Sequence, residues 1–186
     1  MKTYQVGGSV RDELLGVEPH DKDWVVVGSS PEEMIEAGFK PIGKDFPVFL
    51  HPDTKEEYAL ARTERKSGKG YHGFKFYYDP SVTLEDDLLR RDLTINAIAK
   101  DSQGKLIDPF NGQDDLFNKK LRNVSDAFCE DPLRAIRLGR FLSYKHISDF
   151  SITPQLKAIV KKILESGELN YLSGDRVFAE IDKACL

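Results

Sequence analysis

The sequence predicts an α+β protein: a small mixed sheet with flanking helices over residues 1–123, followed by an all-helical segment over 124–186. Three observations predict it. The chain opens as strand, glycine turn and helix; a β-branched run bounded by glycine follows; and from Thr83 onward the apolar spacing becomes helical. The 186 residues, 40% hydrophobic and 31% charged, suffice for one ordinary globular core or for a domain with a smaller appendage.

Thr3–Val6 read as a short strand, Gly7-Gly8 as a tight turn, and Ser9–Leu15 as a helix whose end is marked by Gly16. The run from Asp21 through Trp24-Val-Val-Val27 reads as a second strand, closed by Gly28. Ser30 then supplies an N-cap, Pro31 the first helical position, and Glu32 and Glu33 an acidic first turn, for a helix that stops at Gly38. Further strands are expected at Val48–Leu50 and Glu56–Arg62, with a weaker one at Leu106-Ile107. Leu84–Lys100 carries helical apolar spacing after Thr83, and Ser125, Pro132 and Thr153-Pro154 provide later helix starts. A last helical pattern covers Asp175–Lys183, after which the chain stops without a polar tail, as a truncated helical segment would. Neither internal repeats nor low-complexity stretches are present.

Composition excludes several classes of function. No run approaches the roughly 18 apolar residues of a membrane span, and Met1 leads into Lys-Thr-Tyr-Gln-Val rather than a signal core. A cytoplasmic protein without a membrane partner is expected. Cys129 and Cys185 make neither a disulfide framework nor a metal quartet and read as reduced thiols. The four histidines, His20, His51, His72 and His146, show no ligand spacing and read as structural or exposed. With a net charge of −4, nothing global advertises a nucleic-acid partner, so a polyanion must meet local patches. The richest runs from Arg62 to Lys75, where five cationic side chains and one acid alternate with glycine and aromatics; a solvated loop has the same composition.

The first chemical signal is a pair of acids. If Asp21 and Asp23 both belong to the second strand, their side chains share a face with Lys22 opposite, about 7 Å apart. Two such carboxylates can share magnesium, a hard ion that prefers oxygen and completes its shell with water and phosphate. Acids at the lip of an apolar strand, one helix after Gly7-Gly8, are poorly explained by solubility. A two-metal site of this kind wants a third acid, and Glu57 on the Glu56–Arg62 strand is the candidate.

Five motifs then occur in order. Gly7-Gly8-Ser9-Val10-Arg11-Asp12 with Asp21-Lys22-Asp23 resembles the opening motif of class II tRNA nucleotidyltransferases and bacterial poly(A) polymerases, members of the polymerase-beta-like superfamily. Arg90-Arg91-Asp92-Leu-Thr-Ile-Asn96 resembles their second motif and Asp108-Pro-Phe-Asn-Gly112 their third. Glu130-Asp131-Pro-Leu-Arg134-Ala-Ile-Arg137-Leu-Gly-Arg140 resembles the fourth, nucleotide-selecting motif. Asp175-Arg176-Val-Phe-Ala-Glu180 resembles the fifth, in which the family more often places Glu or Pro-Glu before the arginine. The similarity is greatest to the gammaproteobacterial CCA-adding type.

The resemblance implies a nucleotidyltransferase head over residues 1–123, a truncated helical neck over 124–186, and magnesium-dependent transfer of CMP and AMP from CTP and ATP to a tRNA 3′ end. It implies that Gly8 and Arg11 contact the triphosphate, Asp21 and Asp23 hold magnesium, and Arg91, Arg137 and Arg140 face the nucleotide. Asp131 and Arg134 would read the Watson–Crick edges of cytosine and adenine, and the segment around Arg65–Gly73 would be a flexible loop near the site. A poly(A) polymerase of the same class and a non-catalytic nucleotide- or RNA-binding module are the rivals.

The residues themselves bear on these roles. Glycine-turn amides suit phosphate, and an Asp acceptor beside an Arg fork complements a base edge, although Asp131 and Arg134 also have the spacing of an i,i+3 ion pair. On a helical wheel Arg137 and Arg140 lie beside Leu133 and Ile136, so they need an anionic partner, either a triphosphate or an internal acid. Ala135, Gly139 and Ser143 recur every four residues, an edge suited to close packing on another helix. Trp24 reads as core or core edge.

Overall fold

A computed structural model describes residues 1–42, 47–66 and 74–185, so most of the expected loop, residues 67–73, lies outside the described residues. The elements follow in chain order as β1 (Lys2–Val6), α1 (Gly8–Leu14), β2 (Asp23–Val27), α2 (Pro31–Glu36), β3 (Lys40–Pro41), β4 (Val48–Leu50) and β5 (Glu57–Leu60). Next come β6 (Arg62–Lys66), β7 (Phe74–Tyr78), α3 (Leu84–Leu89), β8 (Ala99–Lys100), β9 (Leu106–Ile107), α4 (Gly112–Phe117) and β10 (Lys120–Leu121). The remainder is mainly helical: α5 (Leu133–Ser143), β11 (Ser151–Ile152), α6 (Pro154–Ser166) and α7 (Gly174–Ala184).

Seven strands form one mixed sheet in the order β3-β4-β5-β2-β1-β8-β9, antiparallel throughout except for the central β2–β5 pair. The apolar run of β2 is continuous because both its faces are covered. Val25 joins a cluster with Val6 and with Leu88 of α3, while its neighbour Val26 joins one with Met34 of α2 and Phe49. The α2 signals are realised in full, with Ser30 and Glu33 forming a reciprocal capping box.

Three expectations change. β2 begins only at Asp23, so Asp21 lies two residues ahead of the strand, and alternation along a strand does not place it on the face of Asp23. The expected helix Leu84–Lys100 stops at Leu89; a 3-10 turn at Thr94–Asn96 and strand β8 follow. Leu93, Ile95, Ala97, Ile98 and Ala99 are all fully buried, and a run enclosed on every side presents apolar residues at helical spacing without being a helix. The expected strand Glu56–Arg62 divides at Ala61, and Arg62 starts a separate antiparallel hairpin, β6–β7.

That hairpin is tied to α3 by a buried carboxylate. Asp87 accepts the Arg62 backbone amide at 3.2 Å, Arg90 Nη2 at 2.7 Å and Arg91 Nη2 at 3.1 Å, while Arg90 also reaches Glu64 at 2.9 Å. Burial works against ionisation of Asp87, but the charges of Arg90 and Arg91 win and hold its carboxyl at about 2.

The largest core cluster ignores the expected division at residues 123 and 124. Val10, Ile98 and Leu121 from the first part pack in one cluster with Phe141, Ile147, Phe150 and Leu156 from the second. A short parallel bridge, β10 to β11, reinforces the junction.

Two outcomes follow. Ile147→Ala opens a cavity in the shared cluster and should cost about 2–5 kcal/mol while the chain still melts in a single transition; separate transitions for the two parts, seen by calorimetry, would contradict a common core. Because the Asp87 carboxyl is depressed on folding, its contribution is complete above about pH 4 and is lost as pH falls through about 2. The urea-stability gap between the parent and Asp87→Asn should therefore shrink by on the order of 2 kcal/mol between pH 5 and pH 2, and a constant gap would disprove the tie.

Candidate active site

The parallel register of β2 and β5 sets Asp23 opposite Glu57, the first residues of both strands, at the same end of the sheet. Both carboxylates are exposed to a cavity of about 610 Å³ whose wall also includes Gly7, Gly8 and Arg11. Asp21, exposed ahead of β2, is not part of that wall. Gly7 holds the corner with φ 75°, and a Cβ there would stand 3.1 Å from Arg91 Nη1 and 3.9 Å from an Asp23 carboxylate oxygen. The positive φ favours glycine there, and an added Cβ would press on the Arg91 guanidinium.

Arginines from several parts of the chain face the cavity, Arg176 of α7 among them. Arg11 comes from α1, Arg62 from β6, Arg90 and Arg91 from the segment directly after α3, and Arg134, Arg137 and Arg140 from α5. Asp92 accepts Arg137 Nε at 3.0 Å, the Asn96 amide at 3.0 Å and the Leu93 N–H at 2.8 Å. Burial opposes the charge on Asp92, yet Arg137 and these donors keep its carboxyl far below the usual range. Glu180 of α7 takes Arg137 Nη1 at 3.1 Å. The internal acids expected as an alternative partner for Arg137 are therefore Asp92 and Glu180.

Arg140 differs. Its Nε lies 3.0 Å from Glu180 Oε2 but is not aligned for a hydrogen bond, and both atoms are buried without a hydrogen-bond partner. Burial and the charge of Arg137 push the Arg140 guanidinium below its ordinary value. Arg91 Nε is likewise buried and unpartnered. A cavity lined by this many guanidinium groups suits a polyanionic ligand.

Asp131 and Arg134 are not paired with each other. Asp131 accepts the Leu133 N–H at 3.1 Å and Arg176 Nη2 of α7 at 2.8 Å. Arg134 donates to the carbonyls of Ala127 and Arg90 at 3.0 and 2.5 Å. The i,i+3 pairing gives way because each side chain has a better-placed fixed partner. The small-residue edge is also corrected: Ser143 reaches the Ala184 carbonyl of α7, but the space beside Gly139 is open. Helices α5 and α7 pack against each other, and Arg137 and Arg140 pair with Glu180 across the contact.

Trp24 is half-buried at the core edge, stacked on Tyr58 at 5.4 Å, and also borders the cavity. Sequence reading missed Asp87, Asp92, Asn96 and Glu180 as the groups that orient the arginines, although the last three lie inside quoted motifs. The signal available was an acid in a run otherwise destined for burial.

The profile of the family described as "Poly A polymerase head domain" matches residues 3–122. The Multifunctional CCA protein of Teredinibacter turnerae is 56% identical over 184 residues, 99% of this chain and 45% of that protein. The chain thus spans about half the length of the curated relatives it matches. A Bacillus stearothermophilus CCA-adding enzyme in complex with CTP superimposes with a TM-score of 0.78 at 29% identity, over 98% of this chain and 44% of that one. A tRNA nucleotidyltransferase complexed with a primer tRNA and an incoming ATP analog gives 0.72 at 32% identity, over 97% and 52%. With the acid pair, the glycine corner and the arginine wall in the order of the five motifs, the chain belongs to the poly A polymerase head domain family.

Proposed function

We propose that this chain is the nucleotide-binding, catalytic part of an enzyme that adds CCA to tRNA 3′ ends, transferring CMP and AMP from CTP and ATP with release of pyrophosphate. The observation that carries the reading is the Asp23–Glu57 pair beneath an arginine-lined cavity, in a chain whose relatives are named for CCA addition. The reaction is assigned to the cytosol; among the described residues no helix is long and apolar enough to cross a membrane.

The donor set fits magnesium. Asp23 and Glu57 are exposed hard-oxygen donors side by side, and among the described residues no group of three or more His, Cys, Asp or Glu builds a closed cage. An open carboxylate pair suits an ion that keeps positions for water and phosphate. Asp23 and Glu57, side by side at the cavity, would hold it, and Asp21, which lies ahead of β2 and outside the cavity wall, is the remaining acid of the expected set. Bound there, magnesium supplies activation of the RNA 3′-hydroxyl and neutralisation of charge on the triphosphate.

The protein's own groups do the rest. Gly8 and Arg11 bind and orient the triphosphate, and Arg91, Arg137 and Arg140 balance the charge that builds on the departing pyrophosphate. Asp131 and Arg134 read the base edge. Residues 1–123 carry most of this machinery, and 124–186 contribute the base-reading helix and the side facing RNA. No side-chain nucleophile is required.

The family description favours one second reading, a poly(A) polymerase. Incubating the intact parent enzyme with tRNA lacking CCA and each nucleotide separates them: CCA addition needs CTP before ATP, whereas a poly(A) polymerase extends with ATP alone. In that assay Asp23→Ala should abolish transfer while leaving the melting temperature nearly unchanged, because it removes an exposed ligand and opens no cavity. Near-parental transfer would refute the metal assignment. Arg134→Ala should relax base choice by about 1–3 kcal/mol while leaving triphosphate affinity in place. Equal losses for CTP, ATP, GTP and UTP would instead assign Arg134 to the phosphates.

A further inference from the structure

Arg11 is only 3% exposed, yet it lines the cavity, and its guanidinium is held on three sides. Nε and Nη2 donate to the two oxygens of Asp12 at 2.8 and 3.0 Å, and Nη1 donates to Asn96 Oδ1 at 2.8 Å. The Phe141 ring lies 5.4 Å from its centre. A guanidinium has five N–H groups, so two remain, one on each terminal nitrogen. That is the fork a phosphate accepts, and its aim is set by Asp12.

Asp12 is in turn held by His146. The Nε2 of His146 lies 3.1 Å from Asp12 Oδ1, the oxygen that already accepts Arg11 Nε. A carboxylate offers no proton, so this ring nitrogen carries the hydrogen and donates. His146 sits in the turn after α5, with its ring stacked on Tyr144, a residue of the cavity wall. It is half-buried beside Tyr144, which packs against the largest apolar cluster, and its Nε2 is turned to Asp12.

We propose that His146 is a positioning residue for nucleotide binding: it fixes the Asp12 carboxylate, which aims Arg11 at the triphosphate. The inference rests on the reading of Arg11 as a triphosphate contact. It makes the phosphate grip of α1 depend on a residue from the helical part of the chain.

Calorimetric titration of the protein with CTP and with CMP, in magnesium, tests it. His146→Leu should weaken CTP about tenfold, the scale of one charge-assisted contact, while CMP changes less than twofold. His146→Gln places an amide donor near the position of Nε2 and should restore CTP binding to within about threefold, whereas His146→Asn, whose amide stops near Nδ1, should not. Parental CTP affinity in His146→Leu overturns the proposal. So do equal losses for CTP and CMP, or equal behaviour of Gln and Asn, since both assign His146 a general structural role. Failure of the parent protein itself to bind CTP would overturn the underlying reading of the site, a result distinct from all of these.

Discussion

Crowding of like charge is the constraint on which this structure turns. Arg11, Arg137 and Arg140 stand 5.4, 5.6 and 4.9 Å from the centroid of a single buried ring, Phe141. Two unit charges about 6 Å apart repel by roughly 3 kcal/mol at an effective dielectric near 20, so such a cluster cannot form unaided. Phe141 offers its electron-rich faces, and Asp12, Asp92 and Glu180 supply fixed negative charge behind the arginines. The protein is net acidic overall, yet eight of its arginines line one cavity, with counterions placed in the wall behind them.

Those counterions also hold the architecture together. Asp87 joins α3 to the β6–β7 hairpin, Asp92 joins the segment after α3 to α5, and Glu180 joins α5 to α7. Removing one partner from such a pair leaves a buried charge uncompensated, which costs far more than the pair contributes. The ionic network and the shared apolar cluster therefore impose the same registry: helices that cap the sheet are also those that aim cations at its open end.

Much of this was legible in the sequence, for identifiable reasons. Ser30 with Glu33, the run ending at Val27, and Thr153-Pro154 are local signals, and local physics decides those elements. The pairing of Asp23 with Glu57 was guessed only as chemistry, since it depends on a parallel register between strands 34 residues apart, which no local pattern encodes. The β6–β7 hairpin lay inside a stretch read as a charged loop, although Phe74-Lys75-Phe76 alternates with the period of a strand. Helix α4 was not anticipated because its N-cap, Asn111, is in the left-handed conformation with no side-chain cap bond, and only Asp114 and Asp115 advertised a first turn. The strand limits around Asp21 failed because the apolar run that predicts β2 says nothing about where pairing with β1 begins.

The two kinds of arginine in the cavity suggest a division of labour. Arg91 and Arg140 are held by carboxylates, Asp87 and Glu180, rather than by backbone carbonyls, and a polyanion would answer their charge wherever it carries its own. Arg134 is anchored to two backbone carbonyls, and Asp131 is anchored by Arg176 and the Leu133 N–H. Side chains restrained in this way lose little entropy on meeting a base and cannot swing to suit a wrong one. If they read the base edge as proposed, selectivity comes from the cost of leaving a fixed donor or acceptor unmatched, which exceeds the gain from one extra hydrogen bond. That rigidity would matter because the triphosphate that the remaining arginines would grip is common to all four nucleotides.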